Sequence, residues 1–331
     1  MSEPLLTTNP YDFFEQSYAY LREGAGLIEL NDQAVIVLTG EDRKGWLQGQ
    51  VTNDLRNVHP GSSIPFCLCS PTGQLEAIVN LWAFGDKFVL TTDKASADAV
   101  VQRVKKMVIM EDVAASRSES LLLSIQGPQA TRELSKFFEL PNLDTGLAEL
   151  EGQPIELLRS NRAGSGGWDL LVGTESNKAL KKLRKAFAEI DSEAYAVARL
   201  EAGFPTFGVD TDAKTLPPEL GPNFEALHIN YKKGCYTGQE VLMRLHSRGH
   251  TNRTWMALAA NLPIPPGSNL KHSTRPDAGI VTSSGFSPEF GYIAGAMLRN
   301  EAAVPGETVI VQSPEGDVEA QTYSMPLLRL I

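Results

Sequence analysis

The N-terminal part of this chain writes one order of elements twice, and that repetition limits the folds open to it. The first copy opens with the strand-like VIVL at 35–38, turns through TGEDRKG and continues as a helix-like stretch to about Leu55. It then passes through the strand-like IPFCLCS, QLEAIVNLWAF and KFVLTT to the helix-like KASADAVVQRVKKMV. The second copy opens with LLLSIQ at 121–126, turns at Gly127-Pro128 and enters QATRELSKFF. QPIELLRSN, GWDLLVG and the helix-like ESNKALKKLRKAF follow. Each copy reads β-α-β-β-α, the ingredients of a ferredoxin-like α/β layer. A true duplication and the convergent packing of two common units both account for this.

After about residue 253 the helical period disappears. TWMALAA, NLKHS, AGIVTSSG, GYIAGAML, ETVIVQS and EAQTYSM are short strand-like runs separated by Pro, Gly and Asn. That pattern predicts a small antiparallel barrel or sandwich. The expected class is therefore α+β. The expected division is a first α/β part over 1–118, a second over 119–250 and a C-terminal β-domain over 251–331, with the first two free to interleave.

The 331 residues carry 30 basic and 40 acidic side chains, a net charge of −10. That disfavours a dedicated nucleic-acid binder, whose affinity rests on neutralising phosphates. The most basic stretch, 232–253, is suited to a small anion such as a carboxylate tail. Three cysteines form no disulfide framework in a chain of this size, which points to a reducing compartment. The N-terminal MSEPLLTTNPYDFFEQ has no basic and apolar signal-peptide regions. No apolar run reaches the length of a membrane span. The expectation is a cytoplasmic protein with no membrane and no direct nucleic-acid partner.

Few residues carry chemistry. Cys67 and Cys69 alternate on a strand and read as packing residues. The histidines lack metal-site spacing, and neither nucleotide fingerprint is present. No stably bound metal is expected. YKKGCYTGQE at 231–240 stands out. Thr237 and Glu240 have capping-box spacing before a helix predicted at about 238–248, ended by Gly249. Cys235 would then lie near a helix N-terminus beside Lys232 and Lys233, conditions that favour thiolate. A reactive thiol and a buried structural cysteine are the two readings. In RLEAGFP, 199–205, Glu201 falls in the last turn of a helix predicted over 193–202. A carboxylate is disfavoured there by the helix dipole, so it is either a ligand group or a solvated surface residue.

Taken together, these blocks resemble a known family. KKGCYTGQE is similar to the K-G-C-Y-x-G-Q-E signature of the YgfZ-type folate-binding proteins, within the superfamily of the glycine-cleavage T-protein, the aminomethyltransferases. WLQGQVTNDL at 46–55, RLEAGFP and LPPELGPNFEAL at 216–227 resemble other shared blocks in the same order, so the likeness runs over about 20–325. It implies two ferredoxin-like units and an antiparallel β-domain around a central tunnel that takes tetrahydrofolate or a derivative. By the same resemblance Glu201 would bind the pterin, with Asn53 and Arg253 near the ligand and Arg253 facing the glutamate tail. Gly234, Tyr236, Gly238, Gln239 and Glu240 would support the signature, with Cys235 and Lys233 as its working residues.

Two departures from the T-proteins shape the expected function. Their Asp-Asp-Leu segment aligns with GQLEAIVNLW, 73–82, where Ala77 and Ile78 occupy the acid positions and a slip of two residues offers only Asn80. General acid–base help to a leaving amine is missing there. The second departure is Cys235 itself, a thiol where T-proteins carry an acidic residue. The resemblance links such proteins to assembly or repair of iron–sulfur clusters, including those of tRNA-modifying enzymes. One thiol cannot hold a cluster. The expectation is a tetrahydrofolate-binding accessory protein with iron–sulfur clients and a redox or cluster-handling Cys235. A folate-dependent aminomethyl- or methyltransferase and a non-catalytic scaffold are the alternatives.

Overall fold

A computed structural model describes residues 10–328; residues 1–9, where the polar N-terminal stretch begins, and 329–331 lie outside it. The first sheet runs in the order Ser63–Cys69, Leu75–Ala83, Lys87–Asp93, Gln33–Thr39, Ala114–Arg117, antiparallel throughout. Helix Ala97–Met107 covers one face. Its Ala97, Val100 and Val104 fall on one stripe and pack on Phe66, Ala77, Val79 and Leu81 of the sheet.

The second sheet runs Ala188–Glu189, Gly26–Glu29, Leu121–Gln126, Gly167–Val172, Gln153–Ser160, Thr145–Leu150. Ala179, Leu180 and Leu183 of helix Asn177–Ala186 seal it. Gly26–Glu29 precedes the first repeat in the chain yet pairs antiparallel with Leu121–Gln126 and parallel with Ala188–Glu189. The chain thus enters the second layer before it builds the first.

The C-terminal strands close a six-stranded barrel, Arg253–Ala260, Gly291–Arg299, Arg275–Ser287, Asn269–His272, Thr308–Ser313, Gly316–Tyr323. Pairing of Arg253–Ala260 with Gly316–Tyr323 completes the circle and removes the exposed edges that a sandwich would leave. Among the described residues no helix is long and apolar enough to cross a membrane.

Two helices are shorter than their sequences predict. The one expected to reach Leu55 covers only Arg43–Gln48. Beyond it Val51 bridges Leu68, and Thr52 exchanges bonds with Cys67, its N–H donating to Cys67 O and its Oγ1 accepting from Cys67 N–H. Pairing with the sheet edge outweighs another helical turn. In the second copy, only Ala130–Leu134 of the stretch QATRELSKFF is helical.

Candidate functional site

The inner faces of the two sheets do not touch everywhere. Between them lies a cavity of about 360 Å³ lined from several directions. Pro65, Ile78, Asn80 and Asp93 come from the first sheet, and Asn161 and Arg162 from the loop after Gln153–Ser160. Helix Ser192–Glu201 supplies Tyr195 and Arg199, one turn apart on the same side. Phe204 and Pro205 follow that helix, and Phe224, Leu227 and His228 come from helix Pro222–His228. A wider opening of about 780 Å³ shares Asp32, Tyr195, Arg199 and Thr206 with this cavity, so the two adjoin.

The lining polar groups are held from behind. Asp169, fully buried, accepts from Arg162 Nε at 2.8 Å and Nη2 at 2.6 Å, and Arg162 Nη2 also donates to Thr91 Oγ1 at 3.1 Å. The ion pair holds Arg162 protonated despite its burial. Arg199 donates to Asp210 at 2.9 Å, and Asp210 in turn accepts from Thr282 and Ser283 of the barrel. Asp93 accepts from Gln33 Nε2 at 2.6 Å and from the Phe207 N–H at 3.0 Å. Burial pushes its carboxyl above the ordinary value, against those two donors. Burial also lifts the Tyr195 phenol to about 12. Asn161 Oδ1 accepts from the Gly164 and Gly166 N–H groups, which leaves its Nδ2 for the cavity.

His228 completes the wall. Its ring stacks on Phe224 with centroids 3.9 Å apart and planes 11° from parallel. Nδ1 lies 2.9 Å from the Phe224 carbonyl, one helical turn back. Burial pulls the imidazole down to about 4, so it is neutral near pH 7. Between that value and the ordinary 6.5 the unfolded chain binds the extra proton, so stability rises with pH through this window and falls as acid is added. Urea unfolding at pH 4 to 7 should show this limb, with an amplitude of about 3 kcal/mol, and His228→Phe should remove it.

The strand that would carry a T-protein acid brings none to this cavity. Ile78 and Asn80 face it, and Ala77 is buried in the first core on the other side. Glu76 is held at 2.6 Å by Arg103 of the covering helix.

The residues expected from sequence fall into separate places. Glu201 does not reach the cavity. It is fully buried, with its carboxylate taken by the Tyr18 hydroxyl, at 3.0 and 3.1 Å, and by the Arg22 guanidinium. Asn53 sits behind the wall, where Nδ2 donates to Pro65 O at 2.7 Å and Leu227 O at 2.8 Å. Arg253 lies in a different cleft, bonded to Asp212 at 2.8 and 3.0 Å and to Glu219 at 3.1 Å. Two carboxylates already neutralise it there. Asp93, Arg162, Tyr195 and Arg199 were not singled out in the sequence. The spacing of Tyr195 and Arg199 was a signal for one shared helix face; Asp93 and Arg162 meet only through the tertiary fold.

The signature loop alternates inward and outward. Lys233 is buried and its ammonium donates to the carbonyls of Gln48, Val51 and Asn53. Burial pulls it down to about 8, and the nearby Asp54 carboxylate opposes that shift. Tyr236 is buried under it, with Lys233 Nζ 5.0 Å from the ring centre. Cys235 between them is exposed, with Lys232 and Gly234. The thiol therefore faces solvent and the Lys233 ammonium faces inward.

The expected capping box is absent. The helix Gln239–Arg248 starts after Gly238, in left-handed conformation at φ +86°, with no side-chain cap. A Cβ at Gly238 would lie 2.6 Å from Ser70 O. Close packing against the turn after Ser63–Cys69 sets this N-terminus, in place of the Thr237–Glu240 exchange. Gln239 and Glu240 open the helix, and Gly249 ends it as expected. Cys67 and Cys69 are buried, and burial raises both thiols well above their ordinary value. Among the described residues no group of three or more His, Cys, Asp or Glu is placed to hold a metal ion.

Two α/β sheets about a cavity, with a barrel beside them, define the aminomethyltransferase T fold. The crystal structure of glycine cleavage system aminomethyltransferase T from Bartonella henselae superposes with a TM-score of 0.84 at 20% identity, over 96% of this chain and 90% of that one. The family model of the GCVT N-terminal domain matches residues 7–226. A protein of Yersinia enterocolitica described as tRNA-modifying protein YgfZ is 32% identical over 74% of both chains. That of Photorhabdus laumondii, described in the same words, is 28% identical over 74% of both. The chain belongs to the GCVT family, among its YgfZ-type proteins.

Proposed function

We propose that this chain binds tetrahydrofolate or a derivative between its two sheets and acts as an accessory protein for iron–sulfur enzymes, including those that modify tRNA. The observation that carries the reading is a cavity built for a polar aromatic ligand on a fold that lacks the catalytic acid. Its volume lies in the range of small-molecule sites. Phe204, Phe224 and Tyr195 offer flat apolar surface, and Asp93 offers a carboxylate for the donor edge of a pterin. Arg199 stands where the cavity meets the wider opening; its Nη1 is taken by Asp210 and the Phe204 carbonyl, and its Nη2 is the group suited to a glutamate tail. Glu201 acts at one remove, fixing the helix that carries Tyr195 and Arg199.

The link to iron–sulfur clients rests on the family resemblance of the signature block and on the description of the relatives as tRNA-modifying. In this reading Cys235 meets the client. Its exposure suits a contact, a redox thiol or a transient ligand, and one thiol is too few to retain a cluster. Lys233 acts as the anchor of the loop that presents it. The expected result is that Cys235→Ala does not restore modified nucleosides, measured by mass spectrometry, in a strain lacking the protein. The purified variant should still bind tetrahydrofolate as the parent does. Full restoration by Cys235→Ala would contradict the thiol's role.

A further inference from the structure

The cavity wall contains a neutral acceptor whose role is fixed by a backbone partner. Arginines there only donate, and so does Asn161, whose Oδ1 is taken by Gly164 and Gly166. Asn80 carries both a donor and an acceptor, and the carboxylate of Asp93 accepts through its charge. His228 differs from these. A carbonyl accepts and never donates, so the 2.9 Å contact with Phe224 O places the hydrogen on Nδ1. Nε2 then carries a lone pair. It has no protein partner among the described residues, and the residue lines the cavity. Stacking on Phe224 and the bond to its carbonyl hold the ring in this orientation.

We propose that His228 is a specificity-determining residue whose Nε2 acceptor makes the cavity prefer a reduced pteridine over a fully oxidised one. This rests on the folate reading above. A tetrahydropteridine carries hydrogen on N5 and N8, whereas the oxidised ring has lone pairs at both. An acceptor buried opposite a lone pair is left unsatisfied, and such mismatches discriminate between ligands more strongly than a missing methylene does. The two rings also differ in shape, since the reduced one is puckered at its saturated carbons, so the share due to the acceptor is read from the His228 variants.

The test is titration of the full-length chain with tetrahydrofolate, and separately with folic acid, followed by calorimetry. The parent should bind tetrahydrofolate about tenfold more tightly or better. His228→Phe keeps the stacking and removes the acceptor, so the ratio should fall to near unity through loss of tetrahydrofolate affinity. His228→Gln, which restores an acceptor, should recover part of it. An unchanged ratio in His228→Phe overturns the proposal and leaves the folate reading standing. Absence of binding by the parent to either ligand overturns both. Should His228→Phe not fold, the ¹⁵N resonance of Nε2 in the parent decides. It should shift on addition of tetrahydrofolate and stay in place with folic acid; equal responses to both would overturn the proposal.

Discussion

Glu201→Ala should destabilise the chain by about 3–5 kcal/mol, because it strands a buried charge. The Arg22 guanidinium would lose its only carboxylate partner among the described residues, and the Tyr18 hydroxyl its acceptor. Arg22 also donates to the carbonyl of Ala163 at 2.7 Å, so the loss reaches the loop that carries Arg162. Chemical denaturation should show the midpoint falling with little change in slope. Tetrahydrofolate affinity, measured where the variant is still folded, should change by less than about threefold, well under 1 kcal/mol. The opposite outcome, intact stability with lost affinity, would return Glu201 to the role of a direct ligand.

Asp93→Asn should give the reverse profile. Removing the carboxylate that faces the cavity should weaken tetrahydrofolate about 10- to 100-fold, the scale of a lost charge-assisted pair. Stability at neutral pH should move by no more than about 1 kcal/mol, since the amide oxygen can still accept from the Phe207 N–H and the Gln33 amide can turn to accept from the new NH2. The pH dependence carries the sign of the effect. Asp93 is raised in the folded chain, so between its ordinary and raised values the folded state binds the extra proton. That contribution to stability is present in acid and is lost as pH rises through the window. Asp93→Asn should flatten this part of the profile. A variant that keeps its affinity would remove Asp93 from the site.

Much of the architecture was legible because local pattern and tertiary fold agree. Each strand-like run named in the first sheet, from VIVL to KFVLTT, lies in a strand, and so do the six runs of the barrel. The places where reading failed are those decided by distant contacts. Gly26–Glu29 pairs with strands about a hundred residues or more away, and nothing in four residues announces that. Helix Pro10–Glu23 was open to detection, since Phe14, Tyr18 and Leu21 recur at helical spacing. The capping box failed at Gly238, where contact with Ser70 took precedence over a local rule.

The site shows the same division. Motif blocks run along the candidate cavity: RLEAGFP carries Arg199, and LPPELGPNFEAL carries Phe224 and ends beside His228. Within each block the residue that faces the cavity was set by packing. Glu201 turns toward Tyr18 and Arg22 while Arg199, two residues earlier, turns to the cavity. Arg253 carries the right charge, but Asp212 and Glu219 hold it elsewhere.

Hydrogen–deuterium exchange with and without tetrahydrofolate tests the central claim most directly, because it locates the ligand. The account predicts protection in 78–80, 91–93, 161–162, 195–206 and 224–228, with Asp212 to Glu219 and Arg253 unchanged. Protection confined to the Arg253 cleft, or absent from the whole chain at saturating ligand, would contradict it.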